Sequence, residues 1–140
     1  MKKWNEEGVY PEYQIWGKDF SPAKLKNLIP NLVFDENTHE AIDIGSRGRF
    51  KDKEYGYGSC TIIPPSNEIY TLEYICDLIL ENRKILDKLN IESEFLKIFW
   101  VGCQGNMEFS SDQLLKISQL KVTLAITYIY VEQSETFDSL

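Results

Sequence analysis

Nucleophilic catalysis by a Ser–His or Cys–His pair needs an imidazole as base, and this 140-residue chain offers one, His39. It stands in Asp35-Glu-Asn-Thr-His-Glu-Ala-Ile-Asp43, beside a predicted strand and outside any strained turn that would expose a nucleophile. A histidine in a surface loop is the expectation, and no catalytic residue is assigned. The same stretch supplies Asp35, Glu36, His39, Glu40 and Asp43 as donors for a divalent cation, and His-Glu-Ala-Ile-Asp superficially matches a helical zinc motif lacking its second His. Asp35, His39 and Asp43 share a face only on a helix, whereas Ile42 and Ile44 alternate as in a strand. Solvated acids without a metal are expected there, and no cofactor.

Ser46-Arg-Gly-Arg-Phe-Lys-Asp-Lys-Glu-Tyr-Gly-Tyr57 interleaves four basic residues with Phe50, Tyr55 and Tyr57, the ingredients for phosphate contact and base stacking. Asp52 and Glu54 cut its charge to +2, and the acidic remainder repels a polyanion, so nucleic acid is not an expected partner. A hairpin carrying gatekeeping charges accounts for the segment. No Gly-Lys-Ser/Thr or Gly-x-Gly-x-x-Gly is present to cradle a phosphate. The carboxylates fall on predicted exposed faces or loops, and nothing selects an acid–base pair among them. Cys60 and Cys76 lie in strand and helix patterns where inert, buried thiols are usual, while Cys103 follows a strand with no Lys, Arg or His beside it. Asn82 projects from the apolar arc of a predicted helix, where its amide either fixes register by bonding a strand or loop or forms the floor of a ligand cleft. Trp100, Gln104 and Asn106 cluster at a strand end where such clefts form.

With 15 basic and 22 acidic residues, the net charge is 15 − 22 = −7. The chain is 43% hydrophobic, enough for a core that takes well over half of its unfolded surface out of water. Apolar runs stop at four to five residues, far short of the roughly 20 of a membrane-spanning helix. Met1-Lys2-Lys3 leads to Glu6 and Glu7 instead of an apolar signal core. A cytoplasmic protein with no membrane partner is expected. Three cysteines, none close in sequence to another, are expected as free thiols.

The elements that position these residues can be read in turn. Glu12 to Gly17 suits a short strand, and Ser21-Pro22 opens a short helix that runs to Pro30. Glu40 to Gly45 and Tyr57 to Ile63 read as two strands joined by a charged, Gly-rich loop. Thr71 to Leu89 places Leu72, Ile75, Cys76, Ile79, Leu86 and Leu89 on one arc, predicting a single long helix with Glu73, Asp77 and Glu81 on its solvated side. Phe95 to Val101 is a strand. Ser110-Ser-Asp-Gln113 predicts a capping box ahead of another short helix, and Val122 to Val131 a final strand apolar enough to lie inside the sheet. The order predicts an α+β fold, a mixed sheet of about five strands against one long and two short helices, in a ferredoxin-like variant. Residues 1–131 form its single domain and 132–140 an acidic tail.

The opening strand, the Gly17-Lys-Asp-Phe-Ser-Pro22 turn, the Gly-rich loop, the long helix and the Asn106 turn before the last helix resemble an uncharacterised bacterial domain family of unknown function. Members of that family look like immunity proteins encoded beside secreted polymorphic toxins. The resemblance implies a cytosolic, non-catalytic inhibitor of a cognate toxin, and it supplies no catalytic residue. Many such toxins are nucleases with basic substrate surfaces, which an acidic domain can occupy by imitating phosphate charge. Asp35, Glu36, Glu40 and Asp43 are the expected acidic contacts, with Tyr55 and Tyr57 as anchors. The alternative is a small-ligand or regulatory module built on Asn82, Trp100, Gln104 and Asn106.

Overall fold

The computed structural model describes residues 7–65, 72–102 and 106–131; Gln104, Cys103 and the expected tail lie outside them. β1 (Gly8–Gly17) occupies the middle of the sheet, because it hydrogen-bonds on both sides. On one side runs β3 (Gly58–Ile63), antiparallel, followed by β2 (Val33–Phe34). On the other runs β4 (Ser93–Gly102), antiparallel, followed by β5 (Thr123–Tyr130), parallel to β4. The order is β2-β3-β1-β4-β5, a mixed five-stranded sheet within an α+β fold.

Paired residues in a ladder share a face, so the registers Tyr13 with Ile62 and Leu96, and Ile15 with Cys60, line up one apolar surface across the central strands. All of these residues are buried, and the helices cover them. α1 (Pro22–Leu28) contributes Leu25; its N-cap Ser21 accepts a hydrogen bond from the Lys24 amide at 3.3 Å, and Pro22 fills a first-turn position that needs no donor. α2 (Leu72–Glu81) contributes Ile75, Cys76, Leu78 and Ile79. Its exposed acids are not merely solvated. Asp77 pairs with Lys116 at 2.5 Å and Glu73 accepts from the Gln113 side chain at 3.1 Å, tying α2 to α4 (Ser111–Leu120).

The expected capping box opens α4. Ser110 Oγ accepts from the Gln113 amide at 3.2 Å, and Gln113 Oε1 accepts from the Ser110 amide at 2.9 Å. Ser110→Ala should therefore cost about 1 kcal/mol, read from a urea midpoint.

Three expectations are corrected. The long helix is broken at Asn82 (φ −107°, ψ 12°), after which a separate four-residue helix, α3 (Arg83–Leu86), follows. Asn82 Nδ2 donates to the Leu78 carbonyl at 2.8 Å, so the amide binds its own preceding turn and not a strand. The break aims Arg83 inward, where Nη1 donates to both Glu94 oxygens at 3.0 Å and Nη2 to the Leu120 carbonyl at 2.9 Å. Residues 40–45 form no strand; Ile42 and Ile44 are 75% and 58% exposed, and alternation there has no neighbouring strand to bury it. β5 lies at an edge of the sheet and not inside it.

Burial pushes the Cys76 thiol up to about 11 and raises Cys60 further, with the nearby carboxylates of Asp35 and Glu40 adding to the burial of Cys60. Unfolding lets these thiols ionise near their ordinary value of 9, a proton loss the folded chain resists. Stability is therefore full below about pH 9 and should fall as pH rises beyond it, a decline measurable as a lower urea midpoint at pH 10.5 than at pH 8.

Candidate functional site

Between β2 and β3 the chain leaves the sheet at Asp35 and returns at Gly58. The excursion is irregular yet heavily bonded. The Asp35 amide donates to the Thr61 carbonyl at 3.0 Å, while its carboxylate accepts from the Asn37 amide, also at 3.0 Å, closing a tight Asx turn. His39 then exchanges two backbone hydrogen bonds with Ser59, both at 2.9 Å, extending the ladder by one residue. Further out, Asp43 accepts from the Glu40 amide at 2.7 Å, Tyr55 donates to the Asp43 carbonyl at 3.1 Å, and Gly45 and Lys53 close a small loop around a 3₁₀ turn at Gly48–Phe50. Gly45 is required in that loop, because a Cβ there would sit 2.3 Å from the Phe50 carbonyl oxygen.

The register decides where the side chains go. Trp16 pairs with Ser59 and Ser59 with His39, so Trp16 and His39 share the sheet face opposite the helices. On that face the His39 ring stacks on Tyr55 (centroids 3.6 Å apart, planes 12° from parallel), and Tyr57 meets His39 edge-on at 5.0 Å. Trp16 meets Tyr57 at 5.8 Å, Phe50 lies 5.2 Å from Tyr55, and the Arg49 guanidinium sits 4.8 Å over Phe50. The result is a continuous row of rings held by a bonded loop. Its neighbour in sequence, Glu40, points the other way. Glu40 accepts from the Ser21 hydroxyl at 2.7 Å and from the Ala23 amide at 2.8 Å, placing a carboxylate on the N-terminus of α1.

The structure thus gathers the expected contact residues but divides their work. Glu36 and Asp43 are exposed, Asp35 is half-buried above Cys60, and the Glu40 carboxylate is engaged in capping α1. Tyr55 and Tyr57 are half-buried in the ring row. Beside them Glu36, Asn37, Thr38, His39, Ser46, Arg47 and Tyr55 line a cleft of about 450 Å³. Arg47, Arg49, Lys51 and Lys53 are exposed on the same excursion, so the surface alternates in sign. Three members of the ring row were not among the expected contact residues, Trp16, His39 and Phe50. The available signal for Trp16 was its place on the even-numbered side of β1, facing away from Tyr13 and Ile15.

The second expected set does not converge. Asn82 lines a cleft of about 480 Å³ between α2 and the segment that follows α1, with Ile29, Leu32, Tyr74, Asp77 and Glu81 among its walls. Trp100 lies elsewhere, on β4 against Tyr128 at 4.7 Å, and Asn106 donates to Glu108 at 3.0 Å. Among the described residues no three His, Cys, Asp or Glu side chains converge as a metal-binding group, and no helix is long and apolar enough to cross a membrane.

An α+β fold with a ring-stacked loop beside one sheet edge is what the geometry defines. No family model, curated protein or solved structure matches the chain.

Proposed function

We propose that this chain is an immunity protein, a cytoplasmic inhibitor that binds a cognate bacterial toxin domain and turns nothing over itself. The toxin is a nuclease effector of a contact-dependent or polymorphic system, whose basic substrate surface the inhibitor occupies. The observation that carries this reading is the ring row on the 35–57 excursion, with Glu36 and Asp43 exposed beside it. Rings already stacked in the free protein lose little freedom on binding, and aromatic anchors supply most of the affinity in protein interfaces. The surplus of acid, −7 over the chain, draws a basic partner in and orients it.

Co-expression with the toxin encoded beside its gene tests it. Survival of the host and a co-purifying complex are expected; growth arrest despite abundant folded inhibitor contradicts the proposal.

A second reading has one observation in its favour, the cleft at Asn82, whose walls mix apolar side chains with Asp77 and Glu81. It makes the chain a small-ligand or regulatory module. A thermal-shift screen should then find a stabilising compound whose effect Asn82→Ala removes.

A further inference from the structure

β5 is an edge strand whose own sequence carries none of the usual protection. From Val122 to Val131 the sequence reads Val-Thr-Leu-Ala-Ile-Thr-Tyr-Ile-Tyr-Val, without a charge, a proline or a glycine, although the chain as a whole carries −7. Edge strands exposed to solvent are ordinarily blunted by such residues. On the helix side of the sheet, Leu124, Ile126, Tyr128 and Tyr130 are between 37% and 62% exposed among the described residues. Among the described residues, β5 pairs with β4 alone.

The Val131 amide donates to the Gly102 carbonyl at 3.0 Å. In a parallel ladder alternate residues bond the same neighbour, so odd-numbered residues of β5 face β4. The backbone N–H and C=O groups of Leu124, Ile126, Tyr128 and Tyr130 consequently point outward along the free edge.

We propose that this edge pairs with β5 of a second copy of the chain, antiparallel about a two-fold axis through Thr127, making one sheet continuous across a dimer. This register sets Leu124 against Tyr130 of the partner subunit and Ile126 against Tyr128 of the partner subunit. Both are aliphatic–aromatic cross-strand pairs, both lie on the helix side, and both fall at the outward-facing backbone positions. A one-residue slip would mix the two faces. The uncharged strand lets two acidic molecules meet without apposing carboxylates, a condition a basic partner would not require. A pair of such strands runs about 27 Å and covers roughly 600 Å² per copy, the lower range of specific interfaces. β2 forms the opposite edge of the sheet, so the 35–57 excursion of each copy stays accessible, and the dimer stands whether or not the proposed function does.

Multi-angle light scattering of the full chain at about 100 μM should give about twice the 16.3 kDa chain mass, and Ile126→Lys should return it to the monomer with an unchanged far-UV spectrum. Register is read independently. In a Cys103→Ser background, Thr127→Cys should form a covalent dimer on mild oxidation, because residues on the axis face each other at about 4.5 Å between Cα atoms. Thr123→Cys, whose own copy lies at the far end of the paired strands, should not. A monomeric wild-type chain, a dimer that persists in Ile126→Lys, or equal cross-linking at the two cysteine positions overturns the proposal.

Discussion

Gly58→Ala should destabilise the protein by about 3 kcal/mol and lower its melting temperature by about 10 °C. A Cβ at Gly58 would stand 1.9 Å from the Phe20 carbonyl oxygen and 2.9 Å from its carbon. The obstacle is backbone, so no rotamer change relieves it. Phe20 is itself buried in the core, in the turn between β1 and α1, and Pro22 Cδ blocks retreat at 3.1 Å. Relief requires moving β3 where the 35–57 excursion rejoins the sheet, one residue after Tyr57. Gly56→Ala is the control. Gly56 has φ +78° and nothing within 4 Å, so its substitution costs only the local left-handed strain, about 1 kcal/mol. Thermal melts of both variants settle the comparison; equal, small losses would mean the Phe20 approach is not tight.

Tyr55→Ala should weaken binding of the proposed toxin by about 30-fold, or about 2 kcal/mol, with a much smaller effect on folding. Tyr55 touches both His39 and Phe50, so its loss removes one anchor and frees two neighbouring rings to move. The half-buried ring lies on a loop outside the main apolar cluster, which limits the stability cost. Calorimetric titration against the toxin domain, paired with a melt of each variant, separates the two effects. Unchanged affinity would take Tyr55 out of the interface.

What could be read in advance was local. The Ser21-Pro22 start of α1 and the Ser110–Gln113 box each act within a few residues, and both form as the sequence specifies. β1, β3 and β4 also announced themselves, since their β-forming runs stop at Gly17, Pro64 and Gly102, and β5 did so through its alternating apolar residues. The helix break at Asn82 was hidden because Leu86 and Leu89 continue the apolar arc across it, both buried despite the break. Strand β5 misled for a related reason. Apolar residues on both sides of a strand fit burial inside a sheet, and only the order of the strands shows that β5 is the last of them among the described residues.

The candidate site was legible in its parts and not in its arrangement. Tyr55 and Tyr57 stood out by composition, but His39 joins them through a bridge to Ser59, and Trp16 through the pairing of β1 with β3. Those are long-range registers that no short window contains. The same bridge explains why Glu40 serves α1 instead of the surface: it follows His39 by one residue, so it faces the opposite way.

The central claim is that the acidic surplus of the chain, presented beside the ring row by Glu36 and Asp43, guides this protein onto the basic surface of the proposed toxin. Stopped-flow association with the toxin domain, measured from about 10 mM to about 0.5 M salt, tests it most directly. The rate should fall steeply with salt, and the double variant Glu36→Lys, Asp43→Lys should slow association at low salt by about tenfold and flatten the dependence. A salt dependence that is the same in wild type and variant would contradict the claim.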